Sequence, residues 1–266
     1  MKPLLLALGL AAAALAGCSQ KPVAPAPASS SEPAASATSP AADAAPAAAP
    51  STPAAPETAV TPAAPNAPIA QTLAGHWQIG KNYEAVVPAQ PTNADPGQVE
   101  VIEFLWLGCP HCYELNPYVE AWKKKLPPYV KFVQEHVTWD AVKTSHARLF
   151  YTIEALGRDD LVAKAFDEIH RKGNVLVGKT DAETQQLQQT FAVENGIKAD
   201  DFQQTSTGFT VSTKLQHANE LMRVYRVDSV PTFIVNGRYR TDVGMAGGPT
   251  QLIQLVNDLA ASEKNH

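Results

Sequence analysis

Cysteine is scarce in this chain: 3 residues of 266, at positions 18, 109 and 112. So few cannot form a disulfide framework. A zinc site built from two CxxC pairs is excluded because there is only one such pair, and haem attachment through C-x-x-C-H fails because Tyr113 follows Cys112. The residues require no metal and no cofactor. Charge of one sign is also in short supply. With 21 Lys+Arg against 26 Asp+Glu the net charge is −5, and no basic stripe interleaved with aromatics excuses a nucleic-acid partner, which is excluded. Long apolar runs are missing too: the stretch Leu4 to Leu15 is too short for a comfortable membrane span.

What is present is a thiol pair in a telling place. Cys109-Pro110-His111-Cys112 directly follows the apolar run Val101 to Leu107, where a strand would hand over to a helix. Unpaired N–H groups and the positive dipole end of that helix stabilise a thiolate at its first residue. Cys109 is therefore the expected nucleophile. Cys112, one turn on, is the expected resolving thiol, and Pro110 suits a first turn, where its missing N–H costs nothing. His111 can add a donor or a positive charge near the Cys109 thiolate, which favours the reduced form and makes the pair an oxidant. A structural disulfide remains open as a second reading, although a bridge closing so short a loop stabilises little.

The first quarter of the chain is compositionally separate. Residues 1–17 read as an export signal, with a basic start at Lys2 and an apolar centre. Leu15-Ala16-Gly17-Cys18 resembles the lipobox of bacterial lipoproteins, which implies cleavage before Cys18 and a lipid on its sulfur; ordinary cleavage after Ala16 is the alternative. Lipidation accounts for the odd cysteine. Residues 18–74, rich in Ala, Pro, Ser and Thr, cannot bury a core and read as a disordered tether. At about 55 residues it would reach roughly 40 Å as a coil and about 170 Å if fully polyproline-like.

The remainder is long enough for one domain with a sizeable core. Tyr83 to Val87 is an expected edge strand, and Val99 to Leu107 an expected central strand buried on both faces. Glu103 interrupts that run. A carboxylate there either reaches a polar pocket or salt bridge, or stays buried with a raised pKa as a proton relay beneath the thiols. Tyr113 to Leu126 has helical spacing and stops at Pro127-Pro128; Val130 to Val137 is the next expected strand, with His136 read as a structural histidine. Helices are then expected over Ala147 to Leu156, from Asp159-Asp160 to Gly173, after the capping box Thr180-Asp181-Ala182-Glu183, and from Thr210 to Tyr225. Strand character returns at Val230 to Val235. Asn236-Gly237 predicts a hairpin turn into Arg238-Tyr239-Arg240, and Pro249 opens a closing helix.

This order resembles the DsbA family of periplasmic thiol:disulfide oxidoreductases, carried by Cys109-Pro110-His111-Cys112-Tyr113, Val230-Pro231-Thr232 and Val235-Asn236-Gly237. The resemblance implies an α/β thioredoxin-like fold, residues 75–140 and 227–262, interrupted by a helical insertion over 141–226. It also implies that Pro231 is a cis-proline facing the CxxC, with Val230 offering backbone groups to substrate, and that Glu103 is the buried acid. Where well-known members place a lysine two residues before the strand histidine, this chain has Gln134. The implied partners are unfolded exported proteins with reduced cysteines and a quinone-reducing membrane oxidase of the DsbB type. The expected setting is the periplasm, with the chain a monomer anchored through Cys18. A reductase or isomerase, or a non-catalytic peptide-binding lipoprotein, are the alternatives.

Overall fold

The computed structural model describes residues 72–73 and 77–264. The expected export signal, Cys18 and nearly all of the tether lie outside the described residues. Strand pairing begins inside the stretch read as tether: β1 (Thr72–Leu73) runs antiparallel to β2 (Trp77–Gln78).

A five-stranded sheet follows, formed by β3 (Glu84–Ala85), β4 (Val99–Leu105), β5 (Val130–His136), β6 (Thr232–Val235) and β7 (Tyr239–Thr241). Its order is β3-β7-β6-β4-β5, with β4 and β5 parallel and the other pairs antiparallel. Every residue of β4 is buried. Hydrogen-bonded on both edges and covered on both faces, it needs the continuous apolar run that the sequence shows. The edge strand is shorter than expected, two residues in place of five.

The sheet's two faces have different cores. Val99, Val101, Phe233 and Val235 pack with α1 (Pro110–Lys123) and α8 (Pro249–Glu263). Ile102, Phe104 and Ile234 pack instead with Met222, Tyr225 and Val227 at the end of α6 (Phe209–Val224). Each fully buried side chain of this size contributes about 1.5–3 kcal/mol. α8 also receives the amino-terminal ribbon, because the Trp77 indole N–H donates to Asp258 Oδ2 at 2.7 Å.

Between β5 and β6 come α2 (Ala141–Ala155), α3 (Asp160–His170), α4 (Asp181–Glu194), α5 (Ala199–Ser206) and α6. α2 starts six residues before the expected Ala147. Asp140 caps it, its side chain accepting from the Lys143 N–H; Ala141 and Val142 are exposed and Lys143, Thr144 and Ser145 follow, so no apolar periodicity announces the first turns. The capping box of α4 is half as expected. Thr180 accepts from the Glu183 N–H at 3.2 Å, but the Glu183 carboxylate takes the Lys179 N–H at 2.7 Å. A short helix, α7 (Val243–Ala246), precedes α8 and was not anticipated. At the predicted hairpin Asn236 and Gly237 both have positive φ, 51° and 64°. Gly237 is obligatory there, since a Cβ would lie 2.1 Å from the Gln90 carbonyl oxygen.

Candidate active site

The carboxyl end of β4 leads into the loop Trp106-Leu107-Gly108, and Cys109 occupies the cap position of α1 with extended backbone, φ −87° and ψ 119°. Its N–H donates to the Trp106 carbonyl at 2.9 Å, and its own carbonyl accepts from Tyr113 at 3.0 Å. Pro110 is the first helical residue, as its fixed φ and missing donor favour. Gly108 is required because a Cβ would meet the Trp106 ring at 2.5 Å.

Cys109 and Cys112 are free thiols with opposite properties. The Cys109 thiol is brought down to about 6, chiefly by a hydrogen bond from the Cys112 side chain. Partial burial opposes this, while the N–H groups of Cys112 and His111 and the His111 side chain assist. Cys112 is pushed far up by burial and by its hydrogen bond and charge interaction with Cys109. One sulfur is thus a thiolate near neutral pH and the other holds its proton.

His111 is exposed, its Nδ1 3.4 Å from Glu114 Oε2. Its contribution to Cys109 is real but comes after those of the Cys112 thiol and the helix amides. Across from Cys109 the Val230–Pro231 peptide is cis, and the Val230 carbonyl lies 3.6 Å from Cys109 Sγ. Val230, Pro231 and Ser229 form one side of a cleft of about 380 Å³, with His111, Leu115 and Val243 among the other lining residues.

Glu103 is 2% exposed and sits on the α1 face of β4, in register with Gln134 of β5. Gln134 Nε2 donates to its carboxylate at 2.8 Å. Burial pushes Glu103 up to about 7, more than the Gln134 bond and the Lys123 charge bring it down, and its charge in turn raises Cys112. No salt bridge to Glu103 exists among the described residues. Glu100 is a second buried carboxylate in β4 that sequence reasoning missed; it accepts from the Asn93 N–H at 3.2 Å and is raised by burial.

Three histidines hold the loop before Cys109, and the sequence analysis singled out only His136. The His136 Nδ1–H donates to the Val137 carbonyl, leaving Nε2 to accept the Leu107 N–H at 3.0 Å. Burial keeps this ring neutral, down to about 3. His146 accepts from the Trp106 indole N–H at 2.9 Å and donates to the Val175 carbonyl at 2.7 Å. His170 donates to the Leu107 carbonyl at 2.8 Å. Among the described residues no group of three or more His, Cys, Asp or Glu could hold a metal.

Comparison with known proteins places these features in a family. The family profile described as Thioredoxin matches residues 94–247. The chain is 38% identical over 186 residues to the thiol:disulfide interchange protein DsbA of Pseudomonas syringae pv. tomato, covering 70% of this chain and 84% of that one. It is 35% identical to DsbA of Azotobacter vinelandii, covering 71% and 85%. The crystal structure of Pseudomonas aeruginosa DsbA superposes with a TM-score of 0.67 at 32% identity, over 72% of this chain and 97% of that one. A buried strand delivering a CxxC to a helix end, a cis-proline across from it and a helical insertion thus accompany clear sequence likeness, and the chain belongs to the DsbA family of thioredoxin-fold proteins.

Proposed function

We propose that the chain is a thiol:disulfide oxidoreductase whose Cys109–Cys112 disulfide is donated to exported proteins. A substrate thiolate attacks Cys109 Sγ; the Cys109–Cys112 bond breaks and its electron pair leaves on Cys112 Sγ, giving a mixed disulfide. The substrate's second thiolate then attacks the substrate sulfur of that mixed disulfide and expels Cys109 as a thiolate. Two substrate thiols become one disulfide, and the enzyme disulfide becomes two thiols. The observation that carries this reading is the pair of opposed thiols: a Cys109 thiolate held at about 6 is a good leaving group, and stabilising the reduced state makes the disulfide oxidising.

Glu103 is the group suited to protonating Cys112 when it leaves. It is buried, acts electrostatically on Cys112, and titrates near 7, where it can hold a proton and release it. Val230 and Pro231 form the wall on which an extended substrate lies beside Cys109, its backbone within reach of the Val230 carbonyl and N–H. The names of the relatives, thiol:disulfide interchange protein, support the activity.

The reduced pair passes two electrons to a membrane oxidase of the DsbB type, whose quinone accepts them. The setting is the periplasm, with a monomeric domain anchored through a lipidated Cys18 after removal of residues 1–17. No helix among the described residues is long and apolar enough to cross a membrane, so any attachment through this part would need another device. The test is oxidative refolding of a reduced, unfolded protein by the oxidised full-length chain. Stoichiometric appearance of substrate disulfides supports the reading, and inertness of the oxidised chain overturns it. Loss of membrane association in Cys18→Ser tests the anchor separately.

A further inference from the structure

The helical insertion reaches the reactive segment through one side chain at the end of α3. His170 donates from Nε2 to the Leu107 carbonyl at 2.8 Å, two residues before Cys109. Its ring also stacks on Tyr113, the residue after Cys112, with centroids 4.8 Å apart and planes 10° from parallel. Tyr113 is tied to the same helix by its hydroxyl, which donates to Asp167 Oδ1 at 3.0 Å, and both rings pack near Phe166. A single imidazole therefore grips the chain on both sides of the CxxC. The Leu107 peptide is held from opposite elements, because its N–H is accepted by His136 of β5 while its carbonyl is taken by His170.

The N–H groups of His111 and Cys112 act on Cys109 only when its sulfur sits correctly at the helix end, and two anchors flank that position. One is Leu107 before it and the other Tyr113 after it. We propose that His170 is a positioning residue for the disulfide chemistry: by holding the Leu107 carbonyl and the Tyr113 ring together, it couples the helical insertion to the placement of Cys109 at the amino terminus of α1. His170 makes no hydrogen bond to either sulfur, and its proposed role is to position them, not to act as an acid or base. The inference rests on the thiol–disulfide exchange proposed above.

Nε2 must carry a proton, since a carbonyl can only accept. Nitrogen chemical shifts of the imidazole in the full-length wild-type protein read this without any substitution. An Nε2–H ring supports the proposal, whereas a bare Nε2 overturns it. Two variants then separate bonding from stacking. His170→Phe keeps an aromatic face for Tyr113 and loses the donor; His170→Gln keeps an N–H of similar reach and loses the face. The account predicts that His170→Phe shifts the glutathione equilibrium towards glutathione reduction of the chain being less favourable, by about tenfold, which is about 30 mV for a two-electron couple. The Cys109 thiolate absorbance should move to higher pH in parallel, and His170→Gln should recover most of both shifts. Unchanged equilibrium and titration in His170→Phe, with only the melting temperature lowered, would make His170 merely structural. Equal shifts in the two variants would also overturn the donor role. Wild-type protein that fails to exchange with glutathione at all would instead sink the proposed function, a result distinct from either.

Discussion

The two walls that flank the CxxC differ in how completely their polar groups are used. Towards the helical insertion and the end of β5 the segment is closed: the Leu107 N–H and carbonyl, the Trp106 indole and the Tyr113 hydroxyl all have partners at 2.8–3.0 Å. Towards β6 it is open. There Val230 is half-buried, its carbonyl makes only a long contact to Cys109 at 3.6 Å, and a cleft of about 380 Å³ lies alongside. In the function proposed above, the closed wall holds the thiols in place and the open wall receives the extended substrate. Both cysteines belong to the core cluster of the helical wall, so the reactive group is built into the closed side and faces the open one.

The sharpest break comes at the sulfur that meets both walls. Cys109→Ser should abolish disulfide transfer to a reduced substrate while leaving the fold intact, as read by refolding assays beside circular dichroism. Residual transfer at the wild-type rate would remove Cys109 from the mechanism. Next in size is Cys112→Ala. With no Cys109–Cys112 disulfide to donate, it should lose transfer to a reduced substrate; given oxidised glutathione, its Cys109 thiolate should expel one glutathione thiolate and keep the resulting mixed disulfide, detectable by mass, because no second thiol remains to resolve it. The Cys109 titration should also rise above its wild-type value near 6, since the Cys112 thiol is the largest cause of the lowering.

Two substitutions beneath the segment compare ionisation with support. Glu103 is pushed up to about 7 from an ordinary 4.5, so its folded form keeps a proton that the unfolded chain loses. Its penalty is absent below pH 4.5 and complete above pH 7, and stability falls as pH rises through that window. Glu103→Gln should remove that fall, a relative gain of about 3 kcal/mol at pH 8 over pH 4.5, measured by urea unfolding of the oxidised protein. A pH-independent difference between the two proteins would mean that Glu103 is not held neutral by burial. On the closed wall, His136→Ala leaves the Leu107 N–H without its acceptor and opens a cavity. It should cost about 3 kcal/mol at neutral pH by the same method.

The smallest effect belongs to the exposed edge of the open wall. His111→Ala should raise the Cys109 titration and make the disulfide several-fold less oxidising, because an exposed imidazole paired with Glu114 adds to what the helix amides already supply. A titration that falls or stays fixed would exclude His111 from the thiolate's stabilisation.

Much of this was readable before the structure, and the reasons for success and failure are physical. Local chemistry announces itself: a continuous apolar run predicts β4, Pro110 marks the start of α1, and Asn236-Gly237 defines its hairpin. The buried acid was legible because a carboxylate in such a run has few places to go. What stayed hidden is non-local. His146 and His170 lie 37 and 61 residues after Cys109 in the chain, and nothing in their own neighbourhoods says that they turn back on Trp106 and Leu107. Glu100 falls inside the stretch Val99 to Leu107 expected to be buried, yet was not singled out, because its partner, the Asn93 N–H, comes from the loop before the strand. The first turn of α2 was missed because Ala141 and Val142 face solvent and polar residues follow them to Ser145, leaving only the Asp140 cap to mark it.

The central claim is that this architecture stabilises the reduced thiols and so makes the disulfide an oxidant. Its most direct test is the equilibrium between the full-length chain and glutathione at pH 7, with reduced and oxidised forms quantified after acid trapping. The account predicts that the chain remains largely reduced under glutathione mixtures that would oxidise a thioredoxin-like reductant. Oxidation of the chain as readily as thioredoxin, whose potential is about −270 mV, would contradict it and reverse the proposed direction of electron flow.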